Sequence, residues 1–295
     1  MAQLGVLSSE FPRSSLSGTL DAVARHKIPT VQFQLGSAVP AIPIQTSLLR
    51  GLEVLGEHIN DDLCRQIAGQ LSERGITMSA VDGTFNMVHP DKGQRALLLG
   101  YLRKLIESCG TLGTSTVTLC TGSKAEIMWQ RVPENNSEGA WADLVAAMKE
   151  AAKVAEDHDV NLAFEPEVNN VVNSAEKARR IIDDVGSDHV KVLMDPANIF
   201  QEGQLPLMAE KLDGAFALVS KDIALAHAKD LNRDGEAGHL AAGHGVLDYP
   251  RYLSLLDKSG FGGTVVLHQL QGLSDEEIDV AFAFVRGCAP AGYFQ

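Results

Sequence analysis

A (β/α)8 barrel built as one domain is the α/β fold class this sequence predicts, on three observations. Short apolar runs alternate with amphipathic helical segments along all 295 residues, the pattern of repeated strand–helix units. The short runs number eight, spread over a length ordinary for such a barrel, about 250 residues or more. Several of them end abruptly in an acid, a histidine or a lysine, and a charge at the tip of a buried strand needs a partner. An open doubly wound sheet is the competing topology. It favours a glycine-rich turn after the first strand, and residues 8–12 carry no such fingerprint.

The eight strand candidates fall at residues 4–7, 30–33, 78–81, 116–119, 161–164, 190–194, 223–226 and 264–267. The segments between them have helical spacing. Trp141, Leu144, Val145, Met148, Ala152 and Ala155 fall on one helix face. Ala178, Ile181, Ile182 and Val185 do the same after Ser174, a suitable N-cap. Asp248 and Pro250 open another helix, which Gly260 ends. Ser274 and Glu277 form a capping box ahead of Ile278, Ala281, Phe282 and Val285. Three connections are long, 36–60, 122–139 and 229–248, and each follows a strand. That is the side on which barrel active sites lie, and long loops in a compact domain carry function. No internal repeat, low-complexity tract or linker interrupts the chain, so residues 1–295 are expected to form a single domain.

Composition narrows the function classes. Lys and Arg total 25 against 38 Asp and Glu, a formal net charge of −13. Nucleic-acid binding needs a basic face to displace counterions, and this balance opposes it. No segment approaches the roughly 20 apolar residues of a membrane span. The four cysteines lie far apart, without a Cys-x-x-Cys pair, and the first residues lack a basic flank and a long apolar run. A reducing cytoplasm is the expected location.

The strand tips carry the chemistry. Residues 82–91 after strand three hold Asp82, Asn86 and His89. Strand five ends in Glu165, Pro166 and Glu167, and strand six in Asp195, Pro196 and Asn198. Strand seven ends in His227, Lys229 and Asp230, and strand eight in His268. Acids and histidines converging from consecutive strands make an oxygen–nitrogen ligand set, suited to Mn²⁺, Mg²⁺, Co²⁺ or Zn²⁺ rather than to a thiolate metal.

These motifs resemble the sugar phosphate isomerase/epimerase family of xylose isomerase-like TIM barrels. The residues that carry the likeness are 86–91, Thr121 and Gly122 with Met128 and Trp129, 164–167, 194–198 and 227–230. The resemblance implies a divalent metal held by Glu, Asp, His and Glu at the ends of strands five to eight. Glu165, Asp195 and His227 match three of these. The fourth position is His268 instead of glutamate, so the family's two-glutamate proton exchange does not carry over. A small-molecule carbohydrate substrate is implied, and a homo-oligomer by resemblance alone.

Isomerising a ketose removes a proton next to a carbonyl, for which a base must lie within hydrogen-bond reach of the carbon. Glu165 and His268, expected to face each other across the metal, are the first candidates, and Glu167 is an alternative base. Lys229 points the same way as His227 in a period-two strand and suits a substrate hydroxyl, carboxylate or phosphate. His89, Glu167, Asn198 and Trp129 are candidates for binding the substrate. Each residue also has a plain structural role open to it: an ion pair for Glu165 or Glu167, a turn for Asp195 or Asn198, core packing for His227 or His268, loop packing for His89 or Trp129. Lys124, Arg131, Lys229 and Arg233 all lie on tip-side segments, without forming one decisive anion cluster. A metal-dependent isomerase or epimerase of a sugar or sugar phosphate is the leading expectation. A metal-dependent dehydratase or lyase on a polyol or keto acid is the second, and a barrel that has lost its metal and binds sugars the third. An abasic-site endonuclease, which shares the barrel, needs more ligands and a basic surface, and ranks last.

Overall fold

The computed structural model describes residues 1–12 and 14–295. Eight strands pair in parallel: β1 (Gln3–Leu7), β2 (Thr30–Phe33), β3 (Thr77–Asp82), β4 (Thr116–Cys120), β5 (Asn161–Glu165), β6 (Val190–Met194), β7 (Ile223–Asp230) and β9 (Thr264–Leu267). They run in the order β6-β5-β4-β3-β2-β1-β9-β7, and a β6–β7 pairing closes the ring. This is a closed TIM barrel, a single domain. The two-residue β8 (Leu240–Ala241) pairs antiparallel with the end of β7 and stands outside the ring.

The helices are α1 (Leu16–Arg25), α2 (Ile44–Arg50), α3 (Leu52–Leu55), α4 (Asp61–Ser72), α5 (Lys92–Leu112), α6 (Glu138–His158), α7 (Ala175–Val185), α8 (Met208–Val219), α9 (Tyr249–Lys258) and α10 (Asp275–Cys288). Their starts follow the expected caps. Ser174 Oγ accepts from Lys177 N, Asp248 Oδ1 accepts from Arg251 N, and Ser274 and Glu277 exchange both bonds of a capping box. The apolar face of α6 is the one its spacing predicts, with Trp141, Leu144, Met148, Ala152 and Ala155 buried. Segment 36–60 is more ordered than its length suggests, because Pro43 sets up α2 and Gly51 the turn into α3.

Strand β7 is the main departure from the expected bounds. The apolar run stops at Ala226, yet the strand continues to Asp230. Pairing with β8, Lys229 to Ala241 and Asp230 to Leu240, keeps the polar end extended. His227 and Lys229 therefore stand on a rigid strand instead of in a loop.

The barrel interior is layered. Leu7, Ala80, Ala163, Leu193, Leu225 and Val266 pack together as an apolar floor, apart from the larger core between strands and helices. Side chains two residues apart on a strand share a face. The residues two positions beyond Ala163, Leu193, Leu225 and Val266 are Glu165, Asp195, His227 and His268. Ala80 gives Asp82 by the same step. Register keeps the layer level, since Met194 pairs with Ala226 and Val266 with His227. One floor of hydrocarbon thus supports one ring of acids and imidazoles, at the carboxyl ends of the strands.

Candidate metal centre and active-site cavity

Above the floor the barrel opens into a cavity of about 510 Å³. Glu165, Glu167, Asn198, His227, Lys229, His268 and Trp129, all candidates from the sequence, line it. Asp195 lies beneath, wholly buried. Its Oδ2 is the hub: Lys229 Nζ lies 2.9 Å away, His268 Nε2 3.3 Å and His227 Nδ1 3.5 Å. Its Oδ1 accepts from Ala197 N at 2.9 Å, which fixes the carboxylate plane. Glu165 Oε1 stands 3.9 Å from His227 Nδ1. Ligand atoms of Asp195, His227 and His268 all lie within 4.8 Å of one another, close enough for one ion.

The donor set passes a stricter test. His227 Nε2 donates to Gln32 Oε1 at 2.8 Å, and Gln32 Nε2 donates to Thr118 Oγ1 at 3.2 Å. With the proton on Nε2, Nδ1 keeps its lone pair. That nitrogen is buried without a hydrogen-bond partner and faces the carboxylates. An orphaned buried imidazole nitrogen between two carboxylates fits a bound cation, and the Gln32 bond is the outer support that orients a ligating histidine. Gln32 is absent from the sequence candidates. Its only signal is a long polar side chain in an otherwise compact strand, at a position that turns inward.

Burial and neighbouring charge divide the carboxyls. Burial pushes Asp195 up, but Lys229, His227 and His268 outweigh it and hold the group well below the usual carboxylate range. Burial, then the Asp195 charge, raises Glu165. Burial also raises Glu167 to about 7, against the bond from Asn169 N. Burial and the Lys229 charge lower His268 to about 3, so its imidazole is neutral at neutral pH. Lys229 remains an ammonium: burial lowers it, and Asp195 and Glu165 more than compensate.

The remaining candidates sort by contact. Asn198 Nδ2 donates to Glu165 Oε1 at 2.6 Å and its Oδ1 accepts from Gly238 N at 2.9 Å, tying the acid to segment 231–248. Glu167 takes amide partners, Asn169 N at 3.1 Å and Asn170 Nδ2 at 3.0 Å, instead of the ion pair that was its structural alternative. Asp230 accepts from Leu231 N, Gly243 N and Leu247 N, and serves the loop. His89 is not brought to the cavity. Phe85, Met87 and Val88 bury themselves and pull the loop after β3 outward, so His89 lies in a separate groove beside Asn86 and Asp91, with Nδ1 accepting from Asp91 N. Two further acids stand on the cavity wall: Asp82, a strand-tip residue with no role assigned from the sequence, and Glu10, which escaped the sequence reading.

The profile of the xylose isomerase-like TIM barrel family matches residues 44–283. The chain belongs to this family. No curated protein matches it in sequence. Solved structures share its fold at low identity. The IOLI protein with a binding zinc atom is 19% identical, with a TM-score of 0.69 over 96% of both chains. D-Psicose 3-epimerase with D-tagatose from Clostridium cellulolyticum H10 is 16% identical, with a TM-score of 0.72, covering 97% of this chain and 99% of that one. The apo form of 3-keto-D-glucoside 4-epimerase from E. coli is 14% identical, with a TM-score of 0.71, covering 98% of this chain and all of the other. Among the described residues no helix is long and apolar enough to cross a membrane.

Proposed function

We propose that this barrel is a divalent-metal-dependent isomerase or epimerase of an uncharged keto sugar. The observation that carries the reading is the ring of Glu165, Asp195, His227 and His268 around one orphaned imidazole nitrogen, at the base of a sugar-sized cavity. Family membership and the sugar epimerases among its structural neighbours support it. The four residues would hold the ion, and two imidazole donors suit Mn²⁺, Co²⁺ or Zn²⁺ better than Mg²⁺. When bound, such an ion acts as a Lewis acid on a carbonyl oxygen and its neighbouring hydroxyl.

The chain's own residues supply the proton chemistry. Glu165, raised by burial and held by Asn198, takes the proton from the carbon beside the carbonyl. His268, neutral and three strands around the ring from Glu165, offers its imidazole as ligand or as the second proton carrier. Glu167 is the alternative base. Trp129 offers an apolar surface to the sugar ring, and Asn198 and Lys229 offer donors to its oxygens. Charge sets the substrate class. Glu10, Asp82, Glu165 and Glu167 line the cavity, and among the described residues Lys229 is the one Lys or Arg on its wall. Lys124 pairs with Asp143, Arg233 with Glu236, and Arg131 donates to Val168 O and Gly235 O. A phosphate dianion would meet carboxyls without a free counter-charge, so a neutral sugar fits better. Four unpaired cysteines agree with a reducing, cytoplasmic location.

Incubation with free ketoses in D₂O after Mn²⁺ or Zn²⁺ loading tests the assignment. Deuterium should enter the carbon next to the carbonyl, and Glu165→Gln should lose both the bound ion and the exchange. His268 in place of a second carboxylate keeps a dehydratase or lyase as the second reading. A product lighter by one water, without an isomerised sugar, would decide for it.

A further inference from the structure

The candidate metal centre already contains a cation. Lys229 Nζ is 2.9 Å from Asp195 Oδ2, the oxygen that His227 Nδ1 and His268 Nε2 also face. Both partners are shielded from solvent, with Lys229 4% and Asp195 0% exposed, so water screens little of the charge. Lys229 also has no freedom of backbone: it sits in the paired end of β7, two residues from His227 and on the same face. An ion held by Asp195 Oδ2 would share that oxygen with the ammonium 2.9 Å from it, a severe repulsion in a low-dielectric site.

We infer that Lys229 is a tethered counter-cation, and that a metal ion and the Lys229 ammonium are alternative occupants of Asp195 Oδ2. The inference rests on the metal-centre reading above and adds to it a competitor built into the chain. Without an ion, Lys229 neutralises the acids that the floor pushes into the barrel. With an ion, the lysine has to leave. The structure provides a destination. Glu167 is a buried carboxylate on the same cavity wall with only amide partners. Gly238 lies against the Lys229 stem, where a Cβ would stand 3.1 Å from Lys229 Cε. An arriving ion thus turns Lys229 from an internal ion-pair partner into a donor facing the substrate. This also accounts for a lysine at a position where it weakens the site it stands in.

Titration of the metal-free full-length chain with Zn²⁺ or Mn²⁺ against a chromophoric chelator tests the competition. Lys229→Met should bind the ion about tenfold more tightly or better, and its metal-free form should melt at a lower temperature, with a larger rise on adding the ion than the wild type shows. Lys229→Gln, which keeps a donor without the charge, should also bind more tightly. In the wild type, metal loading should speed acetylation of Lys229 by a small reagent, read by peptide mass. That measurement holds even if the variants do not fold. Equal or weaker affinity in both variants, or unchanged labelling of Lys229, overturns the inference and leaves the metal centre standing if the wild type binds. No ion bound by any of the three proteins overturns the metal-centre reading together with it.

Discussion

The lone pair of one histidine nitrogen is the most informative atom of the site, and a glutamine sets it. Gln32 can accept from His227 only through Oε1, because its amide nitrogen is spent on Thr118. Gln32→Leu removes that choice and leaves His227 Nε2 and Thr118 Oγ1 without their Gln32 partner. The expected loss is about 10- to 100-fold in metal affinity. ¹⁵N NMR of the imidazole should show a second tautomer in the metal-free protein. A variant with a single, unchanged tautomer would show that Gln32 packs without directing. At this scale the sequence was legible wherever a charge stood at the end of an apolar run, as with Glu165, Asp195, His227 and His268. It was not legible for Gln32 or Glu10, whose importance comes from neighbours that the closed ring supplies. His89 shows the opposite error: its motif was legible, but the burial of Phe85, Met87 and Val88 moves it to another groove.

Strand β7 and its following segment form the element that changes most on passing from sequence to structure. Reading the apolar run alone stops at residue 226, because the cue for continuing lies in the pairing with β8, thirteen residues downstream of His227 at its start. Asp230, which the sequence groups with the ligands, holds three backbone N–H groups of segment 231–247 at 2.9–3.1 Å. Gly245 permits this close approach, since a Cβ there would stand 2.3 Å from Asp230 Oδ1. Asp230→Ala should leave these buried donors unsatisfied, at a cost of about 1–3 kcal/mol. Urea unfolding should measure the loss, and limited proteolysis should cut first within 231–248. An unchanged unfolding midpoint would show that the segment holds its shape without Asp230.

Over the whole molecule, the first barrel strand, β1, pairs with the last, β9, and Glu10 spans that seam. Its Oε2 accepts from Leu270 N at 2.6 Å and Gln271 N at 3.0 Å, joining the turn after β1 to the turn after β9. Burial raises its carboxyl above the usual glutamate value, and the backbone donors offset only part of that. The folded state therefore holds a proton more tightly than the unfolded chain. The contribution is complete below the ordinary value near 4.5 and is lost as pH rises through the higher folded value. Glu10→Gln, which cannot ionise, should gain stability relative to the wild type as pH increases across that window, as thermal melts at a series of pH values would show. A constant difference between the two proteins would mean that the carboxyl ionises without strain. At this scale the fold was almost fully legible, because the strand count and helix faces follow from apolar spacing. The seam was not, because nothing in residues 8–12 announces a partner more than 250 residues away.

The floor has a consequence for traffic. Leu7, Ala80, Ala163, Leu193, Leu225 and Val266 stop the barrel like a cork, so the cavity has a mouth and no back door. Any ligand, displaced water or ion must use one doorway, one after another. A departing ligand blocks the next arrival, and whatever enters first lies beneath whatever follows it. Order of entry is therefore written into the plugged end of the barrel, one layer beneath the ring of acids and imidazoles it supports.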